Sequence, residues 1–457
     1  SDLVNPTTGE VFAQAVVSNA EDVDRAYRAA SDAFESWSQT TPSERQAALL
    51  KIADIVEANA EELIALESEN TGKAIAVTAS EEIPPMVDQI RFFAGAARNL
   101  EGKAAAEYMA NMTSFVRREP VGVCAQVAPW NYPYMTAINT VAPALIAGNA
   151  VMLKHASQTP LVGERLAAAF HAAGVPTDVF QNVFLDHATT SDLIADRAFG
   201  FVNFTGSVGG GKAMEVAAAG TFTGIGLELG GKDPGYVMDD ANLDGAVDTL
   251  IDGAMFNSGQ CCCGIERIYV HESLFDRFVE KAVAIVNGYK LGNPLDPETT
   301  LGPMAHVRFA DEVREQTAEA IAMGAKAHID PALFPNDGGA YLMPQILTNV
   351  THDMRVMRDE SFGPVVGIMS VKDDAEAIKL MNDSNFGLTA SVWTQDTARA
   401  EAIADQIDTG TVFMNRADYL DPGLCWTGCK DTGRGGGLSV IGFHNLTRPK
   451  SYHMKKV

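Results

Sequence analysis

Cysteine is scarce in this chain. The 457 residues contain six cysteines, too few and too widely spread for a disulfide framework. Scarce thiols favour a reducing compartment, so the sequence predicts a cytoplasmic protein. Cys425 and Cys429 have the spacing of half a metal site, but no second Cys or His pair follows nearby, so no metal site is predicted. Three of the six are nevertheless consecutive, at Cys261, Cys262 and Cys263.

Basic residues are also few. Lysine and arginine total 34 against 59 acidic residues, which gives a net charge of -25. Because binding to nucleic acid requires neutralisation of phosphates, this balance argues against a nucleic-acid partner. No apolar run reaches the ~18 residues of a membrane-spanning helix, and the first residues do not resemble a signal peptide. The composition predicts a soluble globular protein, and the length predicts two or three domains.

The first hundred residues have a helical pattern. Capping boxes at 18–21 and 41–44 each precede apolar residues at helical spacing, and a third helix over 60–69 ends near Gly72. This region is expected to be scaffold.

From about residue 120 the pattern alternates between strands and helices. Strands are predicted at 121–127, 150–154, 199–205 and 225–229, and after residue 264 at 267–270, 325–329, 365–371 and 391–393. Such alternation predicts two α/β units with parallel sheets and helices on both faces. Sheets of this kind bind ligands beyond the carboxyl ends of their strands.

Three polar sites fall at or near predicted strand ends. Glu228 lies in an apolar strand, where poor solvation would raise its pKa towards that of a general base; a structural pair with Lys232 is the alternative. Asn131 is a candidate oxyanion donor or a turn residue. The cysteines are a candidate nucleophile or small buried residues.

A glycine-rich loop follows the strand over 199–205. Residues 206–211 contain four glycines before a helix, so backbone N–H groups and the helix dipole could hold a phosphate, although the loop departs from the strict dinucleotide fingerprint. A thiol, a base, an oxyanion donor and a phosphate loop together describe oxidation of a carbonyl compound through a thioester. No single motif establishes that chemistry.

Nearly the whole chain, from residue 5 to residue 450, resembles the NAD(P)-dependent aldehyde dehydrogenase superfamily. Seven motifs in the family's order carry the resemblance: Ala128-Pro-Trp-Asn-Tyr-Pro133, Leu153-Lys154, Phe204-Thr-Gly-Ser207, Leu227-Glu-Leu-Gly-Gly-Lys232, Gly259-Gln-Cys-Cys262, Glu360-Ser-Phe-Gly-Pro364 and Gly433-Arg434.

The resemblance implies a three-part α/β architecture. A Rossmann-like NAD(P)-binding domain would comprise 1–101 and 121–230, a second α/β catalytic domain 231–432, and a small β oligomerisation element 102–120 and 433–457. The segment 113–118 alternates as an exposed edge strand does, and exposed edges attract partners, so a homodimer or homotetramer is expected.

The resemblance also implies the catalytic roles. Cys262, the second residue after Gly-Gln, would attack the aldehyde, and the Asn131 amide with the Cys262 backbone N–H would hold the oxyanion. Hydride would pass to the nicotinamide, and Glu228 would activate water to release the carboxylic acid. The presence of Glu228 favours hydrolysis over transfer to coenzyme A. A coenzyme A-acylating enzyme and a non-catalytic relative are the alternatives.

NAD or NADP is the implied cofactor. The implied contacts run from the adenosine ribose to the nicotinamide end: Lys154, Ser157, Gly206, Ser207, Trp130, Glu360 and Phe362. NAD-preferring relatives usually have glutamate where this chain has Ser157. Without that carboxylate a 2′-phosphate is not repelled, so NADP is allowed, with His155 as a further possible contact.

The substrate pocket is implied by position. Its residues would be Tyr132, Met135, Phe256, Cys261, Cys263, Tyr419 and Trp426. Such aromatic and aliphatic walls favour a medium or long-chain aliphatic or aryl aldehyde over a small charged one. Succinate-semialdehyde enzymes have arginine where this chain has Phe256. Arg416 leaves that substrate as the alternative.

Overall fold

A computed structural model describes residues 1–457. The strands are β1 (Asp2–Val4), β2 (Val11–Gln14), β3 (Lys103–Met109), β4 (Met112–Pro120), β5 (Val123–Val127), β6 (Ala150–Lys154), β7 (Phe180–Asn182), β8 (Phe201–Thr205), β9 (Gly224–Glu228), β10 (Asp233–Val237), β11 (Ile265–His271), β12 (Lys326–Ala327), β13 (Gln345–Thr348), β14 (Val365–Val371), β15 (Phe386–Gly387), β16 (Thr389–Trp393), β17 (Thr411–Met414), β18 (Cys429–Lys430), β19 (Gly433–Arg434) and β20 (Thr447–Lys455).

The α-helices vary from one turn to five. They are α1 (Ala20–Trp37), α2 (Pro42–Ala58), α3 (Ala60–Thr71), α4 (Ile75–Glu81), α5 (Ile83–Gly95), α6 (Pro133–Ile146), α7 (Pro160–Ala172), α8 (His187–Ala195), α9 (Val208–Ala218), α10 (Leu243–Met255), α11 (Phe275–Asn287), α12 (Val307–Ala322), α13 (Arg355–Arg358), α14 (Asp374–Asn382), α15 (Thr397–Ala404) and α16 (Phe443–Leu446). None of them is long and apolar enough to cross a membrane.

The N-terminal region differs from the predicted run of helices at its start, because β1 and β2 form an antiparallel pair. The first capping box is also shifted: Asn19, not Ser18, caps α1, because its side chain accepts from the Asp22 backbone while Asp22 accepts in return. Asn19 and Asp22 thus make the two reciprocal hydrogen bonds that were predicted for the residues at 18 and 21. The capping box at Thr41 is confirmed.

The first large sheet has the strand order β19-β9-β8-β5-β6-β7. All its pairings are parallel except that of β19 with β9. Side chains of β5 alternate between two cores: Cys124 packs with α2, α5 and α6, whereas Val123 and Ala125 pack with α1 and α9. The sheet is therefore covered on both faces, as the sequence predicts.

The second large sheet has the order β12-β13-β14-β11-β10-β16-β17 and is parallel except at β12. It is also buried on both faces, since Val237 and its neighbour Tyr236 belong to different cores. The strand predicted at 325–329 is reduced to two residues at the antiparallel edge. The mixed α/β architecture with Rossmann-like parallel sheets is confirmed.

A third sheet has the order β20-β4-β3. The prediction of an edge strand at 113–118 was wrong, because β4 is central and β3 and β20 form the edges. Phe115 stacks on Tyr452 with ring centroids 4.6 Å apart, which ties β4 to β20. The two-residue β19, assigned from sequence to the oligomerisation element, instead pairs with β9 of the first sheet.

The two large sheets meet where their loops converge. The loop after β5 carries Asn131, β8 leads into the glycine loop at Gly206, and β9 ends at Glu228. From there the chain crosses directly into β10, beside β11. The three cysteines immediately precede β11, so the first sheet's carboxyl ends face the start of the second.

Candidate active site

The cysteines follow a tight turn with unusual backbone conformations. Asn257, Ser258 and Gly259 all have positive φ, at 50°, 53° and 72°. At Gly259 a side chain would run into the Gly363 carbonyl, so only glycine fits there. Non-glycine residues at positive φ are uncommon and concentrate at functional sites, where surrounding contacts hold them.

Gln260 provides those contacts. Its side-chain oxygen accepts from the Ala305 backbone at 2.9 Å, and its amide donates to the Asn257 carbonyl at 3.0 Å. The Ser258 hydroxyl donates to the Gly302 carbonyl at 2.7 Å. The turn is thereby fastened to the segment that precedes α12.

The three thiols converge after this turn. Their sulfur atoms all lie within 4.8 Å of one another, and Cys262 is partly exposed whereas Cys261 and Cys263 are each only 6% exposed. Hydrogen bonds from Cys261, then from Cys263 and nearby backbone N–H groups, lower the pKa of Cys262 well below its usual value, although burial opposes the change. The accessible thiol is thus also the most acidic one.

Glu228 lies at the end of β9 beside this thiol. Burial raises its pKa to about 7, and a 3.1 Å hydrogen bond from the Thr205 hydroxyl moderates the increase. The alternative pairing with Lys232 does not form, because the Lys232 ammonium pairs with Glu266. Glu228 is therefore available to exchange a proton near neutral pH.

Asn131 is buried at the same junction. Its side-chain amide donates to the Gln260 carbonyl at 3.3 Å, and Asn257 donates to the Asn131 carbonyl at 3.4 Å. One Asn131 amide proton remains for another acceptor. The backbone N–H of Cys262 donates to no backbone carbonyl, so two donors are available near the thiol.

Two cavities meet at Thr205, Glu228 and Cys262, which line both. The first, of about 350 Å³, is lined by every residue predicted for the substrate pocket: Tyr132, Met135, Phe256, Cys261, Cys263, Tyr419 and Trp426. Arg416 is not in its lining; its guanidinium lies 3.4 Å from the centre of the Tyr419 ring. Sequence reasoning missed three acidic lining residues, Glu81, Asp88 and Asp418.

The second cavity, of about 310 Å³, is lined by Asn131 and by five of the residues predicted to contact the cofactor: Trp130, Gly206, Ser207, Glu360 and Phe362. Trp130 stacks on Phe309 at 4.9 Å and meets Phe362 edge-on at 5.5 Å. Phe309 was missed, since nothing in the first turn of α12 distinguishes it from an ordinary core residue.

Backbone N–H groups hold the loop that carries Glu360. Gly231 donates to its carboxylate at 2.9 Å, and a side chain at Gly230 would collide with the same carboxylate. Ser361 and Phe362 donate to Glu266 at 2.8 Å and 2.9 Å. Gly230 thus leaves room for the Glu360 carboxylate, whereas a side chain at Gly231 would run into the Cys262 carbonyl.

A third cavity, of about 270 Å³, contains Lys154, Ser157 and His155. Burial lowers the pKa of His155 to about 3, with Lys154 adding to the effect, so His155 is neutral and adds no cation there.

Ser207 caps α9 by accepting from the Gly210 backbone at 3.2 Å, which leaves that helix N-terminus open towards the second cavity. A dinucleotide phosphate suits this N-terminus, and the lysine suits its ribose region.

Comparison with known proteins identifies the family of this chain. A sequence model described as "Aldehyde dehydrogenase family" matches residues 1–452. The chain belongs to the aldehyde dehydrogenase family. An aldehyde dehydrogenase of Emericella nidulans and human aldehyde dehydrogenase 1A1 are each 35% identical to it, over 99% of this chain and 91% of the relative.

Solved structures agree with the fold. PnpE in complex with NAD is 32% identical with a TM-score of 0.96, covering 100% of this chain and 95% of that one. Staphylococcus aureus betaine aldehyde dehydrogenase in complex with NAD+ is 31% identical with a TM-score of 0.94, covering 99% and 91%. This aldehyde dehydrogenase is therefore an NAD(P)-dependent oxidoreductase that oxidises aldehydes.

A buried charge network supports the segment that bears Asn131. In this aldehyde dehydrogenase the Lys73 ammonium bonds Glu67 at 2.5 Å and Glu82 at 3.1 Å, all three fully buried. Glu82 also accepts from the backbones of Tyr134 and Met135, at 2.7 Å and 2.8 Å, in the first turn of α6. The helices expected to be only scaffold thus anchor the active-site loop.

We predict that Lys73→Met destabilises the protein by about 3–5 kcal/mol, because removal of one partner leaves buried carboxylates uncompensated. Equilibrium unfolding in urea, followed by circular dichroism, measures the change. The matched control is Lys51→Met on the exposed face of α2, which should change stability by less than about 0.5 kcal/mol. Equal effects of the two substitutions would contradict a structural role for the network.

Proposed function

We propose that this enzyme oxidises its aldehyde through a covalent bond to Cys262. The thiolate attacks the carbonyl carbon and forms a thiohemiacetal, whose oxyanion is held by the Asn131 amide and the Cys262 backbone N–H. The observation that supports this most directly is the junction of two cavities at an acidified thiol, a base of pKa about 7 and two available donors.

The second and third cavities would hold the cofactor. Lys154 and Ser157 would contact the adenosine ribose, Ser207 and the adjoining Gly206 the pyrophosphate, and Glu360 the nicotinamide ribose. Trp130, Phe309 and Phe362 would form the wall beside the nicotinamide. When bound, the nicotinamide supplies a hydride acceptor, and loss of hydride from the thiohemiacetal carbon leaves a thioester on Cys262.

Glu228 would then complete the reaction. Its carboxylate takes a proton from a water molecule, the resulting hydroxide adds to the thioester carbon, and the carbon–sulfur bond breaks to release the acid and the thiolate. Glu228 reaches both cavities, so it can act where the thioester stands. Hydrolysis of this kind needs no coenzyme A, which favours a non-acylating enzyme over the acylating alternative.

For the substrate we propose an aldehyde whose stem packs against aromatic walls. Tyr132, Phe256, Tyr419 and Trp426 line the first cavity, which supports an apolar or aromatic stem. The lining contains no lysine, arginine or histidine, and Arg416 lies outside it. This favours such a stem over succinate semialdehyde, whose carboxylate would meet no cation.

We further propose that copies of the chain associate through the third sheet, as a dimer or tetramer, with the domain boundaries given by the sequence except at β19. The edge strand β3 is exposed throughout, with Tyr108 93% exposed at its end, which supports pairing with a second copy.

The six free thiols support a reducing compartment such as the cytoplasm.

We predict that Cys262→Ser abolishes oxidation, reducing kcat/KM at least about a thousandfold. Absorbance of the reduced cofactor, with a panel of aldehydes in the presence and absence of coenzyme A, measures turnover. Cys261→Ala and Cys263→Ala are the controls: each should retain turnover but raise the pH at which Cys262 is alkylated by iodoacetamide, because each removes a hydrogen bond to the Cys262 sulfur. Oxidation by Cys262→Ser would rule out the proposed nucleophile, and a requirement for coenzyme A would favour the acylating alternative.

We predict that the hydrolytic step depends on ionised Glu228, so its rate rises with pH up to about 7 and then levels off. Glu228→Gln should remove this rise of the rate with pH. It should also give a burst of one reduced cofactor per site, because the thioester accumulates. Thr205→Val removes the hydrogen bond that lowers the Glu228 pKa, so the hydrolytic rate of this variant should rise at higher pH than that of the unmodified enzyme. Unchanged steady-state turnover in Glu228→Gln would eliminate Glu228 as the base.

We predict that Ser157→Glu raises KM for NADP at least about tenfold with little effect on KM for NAD, because a carboxylate repels the 2′-phosphate. Steady-state kinetics with each cofactor measures the change. Ser157→Gln introduces the same bulk without the charge, so it should leave the ratio of the two KM values near that of the unmodified enzyme. Equal effects of Glu and Gln would show that the site senses size and not charge.

A further inference from the structure

The first cavity is more acidic than catalysis requires. Four carboxylate side chains line it: Glu81, Asp88, Glu228 and Asp418. Only Glu228 has a role in the proposed reaction. No lysine, arginine or histidine lines the same cavity, so no cation of the lining balances the other three.

Asp418 is the most unusual of the three. Apart from the Cys263 thiol, which is near enough to lower its pKa, neither of its buried carboxylate oxygens has a hydrogen-bond partner. Burial nevertheless dominates and raises the Asp418 pKa well above its usual range. Its φ of 54° is one that aspartate and asparagine tolerate better than most residues. A cation beside Asp418 would oppose this increase, because it stabilises the ionised carboxylate.

Two further polar groups of this cavity are unsatisfied. The Tyr132 hydroxyl and the Asn139 side-chain oxygen are buried and have no hydrogen-bond partner, and each residue is only 4% exposed. Buried polar atoms normally have partners. The Asn139 oxygen can only accept, and the Tyr132 hydroxyl can accept or donate. Their unused acceptor capacity indicates a ligand that donates hydrogen bonds or carries positive charge.

The other two carboxylates without a catalytic role, Glu81 and Asp88, make the cavity mouth acidic as well. Glu81 at the end of α4 and Asp88 on α5 are both exposed and line the cavity. Asp252 on α10 lies close enough for Glu81 to raise its pKa further, beyond the larger effect of burial. Acidic groups thus occur from the rim to the interior.

The aromatic walls suit a cation equally well. Tyr132, Tyr419 and Trp426 line the cavity, and the faces of such rings attract ammonium groups. The Lys73 ammonium already lies 3.7 Å from the centre of the Tyr132 ring, so one face of that ring is occupied. Tyr419 already accepts the Arg416 guanidinium over its ring, outside the cavity lining. An apolar stem and a cationic end group are therefore compatible in one ligand.

We propose that the substrate is an aldehyde that carries an ammonium group, separated from the carbonyl by an apolar stem and recognised by Asp418 and the acidic cavity mouth. The inference rests on the proposed function, because it concerns the cavity that opens onto Cys262. It refines the preference for an apolar or aromatic stem by adding a cationic group at the end of that stem. It also excludes an anionic end group.

The test is a comparison of substrates that differ only in charge. 4-Trimethylammoniobutanal and 5,5-dimethylhexanal have the same shape, with nitrogen in one replaced by carbon in the other, and 6-oxohexanoate supplies an anionic end. We expect kcat/KM for the cationic aldehyde to exceed that for its neutral isostere by about tenfold or more, and the anionic aldehyde to be the poorest.

Asp418→Asn isolates the interior carboxylate, since asparagine keeps the size and tolerates the positive φ. It should bring the cation-to-neutral ratio of kcat/KM towards one, mainly through KM for the cationic aldehyde. Glu81→Gln with Asp88→Asn should weaken the preference in low salt and have little effect in high salt, because exposed charges are screened. Asp32→Asn, at an exposed position of α1 outside the cavity lining, is the control and should leave the ratio unchanged.

Separate outcomes overturn the two proposals. If the neutral isostere or 6-oxohexanoate is the better substrate, or if Asp418→Asn leaves a preference for the cation intact, the ammonium proposal is wrong while oxidation through Cys262 stands. If none of the three aldehydes is oxidised with either cofactor while a wider panel is, the ammonium proposal alone fails. If Cys262→Ser still oxidises them, the proposed catalytic route fails instead.

Discussion

The active site depends on a short set of hydrogen bonds that join the two large sheets. Asn131, from the loop after β5, donates to the Gln260 carbonyl, and Asn257 donates to both Asn131 and Gln260. In the same turn Asn257 and Ser258 adopt left-handed conformations, and Gly259 lies against the Gly363 carbonyl. The turn thereby sets Cys262 between a cavity suited to substrate and one suited to the cofactor.

Buried carboxylates hold the surrounding loops in the same way. Glu82 accepts two backbone N–H groups at the start of α6, Glu266 accepts two from the loop at Ser361, and Glu360 accepts one from Gly231. Each exchanges hydration for fixed backbone donors, which a carboxyl group removed from water requires. Asp418 has no such donors, and this contrast distinguishes a carboxylate that positions the protein from one available to a ligand.

Burial also adjusts reactivity within this frame. Desolvation raises the pKa of Glu228 to about 7, whereas hydrogen bonds from its neighbours lower the pKa of Cys262. The two groups lie at the same junction, but their pKa values are shifted in opposite directions. The shifts suit a base and a nucleophile that both function near neutral pH. We infer that the adjacent thiols Cys261 and Cys263 contribute through these hydrogen bonds as well as by lining the substrate cavity.

The sequence by itself determined the alternation of strands and helices, and with it the parallel sheets, because the period of apolar residues reports local structure directly. It also singled out Cys262, Glu228 and Asn131 as candidates, because they stand in motifs that together resemble those of the aldehyde dehydrogenase family. Only the tertiary structure decided that β4 is central in its sheet and that Phe309 lies on Trp130. It alone brought Glu81, Asp88 and Asp418 to one cavity, because they are far apart in the chain and the direction of their side chains depends on packing between separate elements.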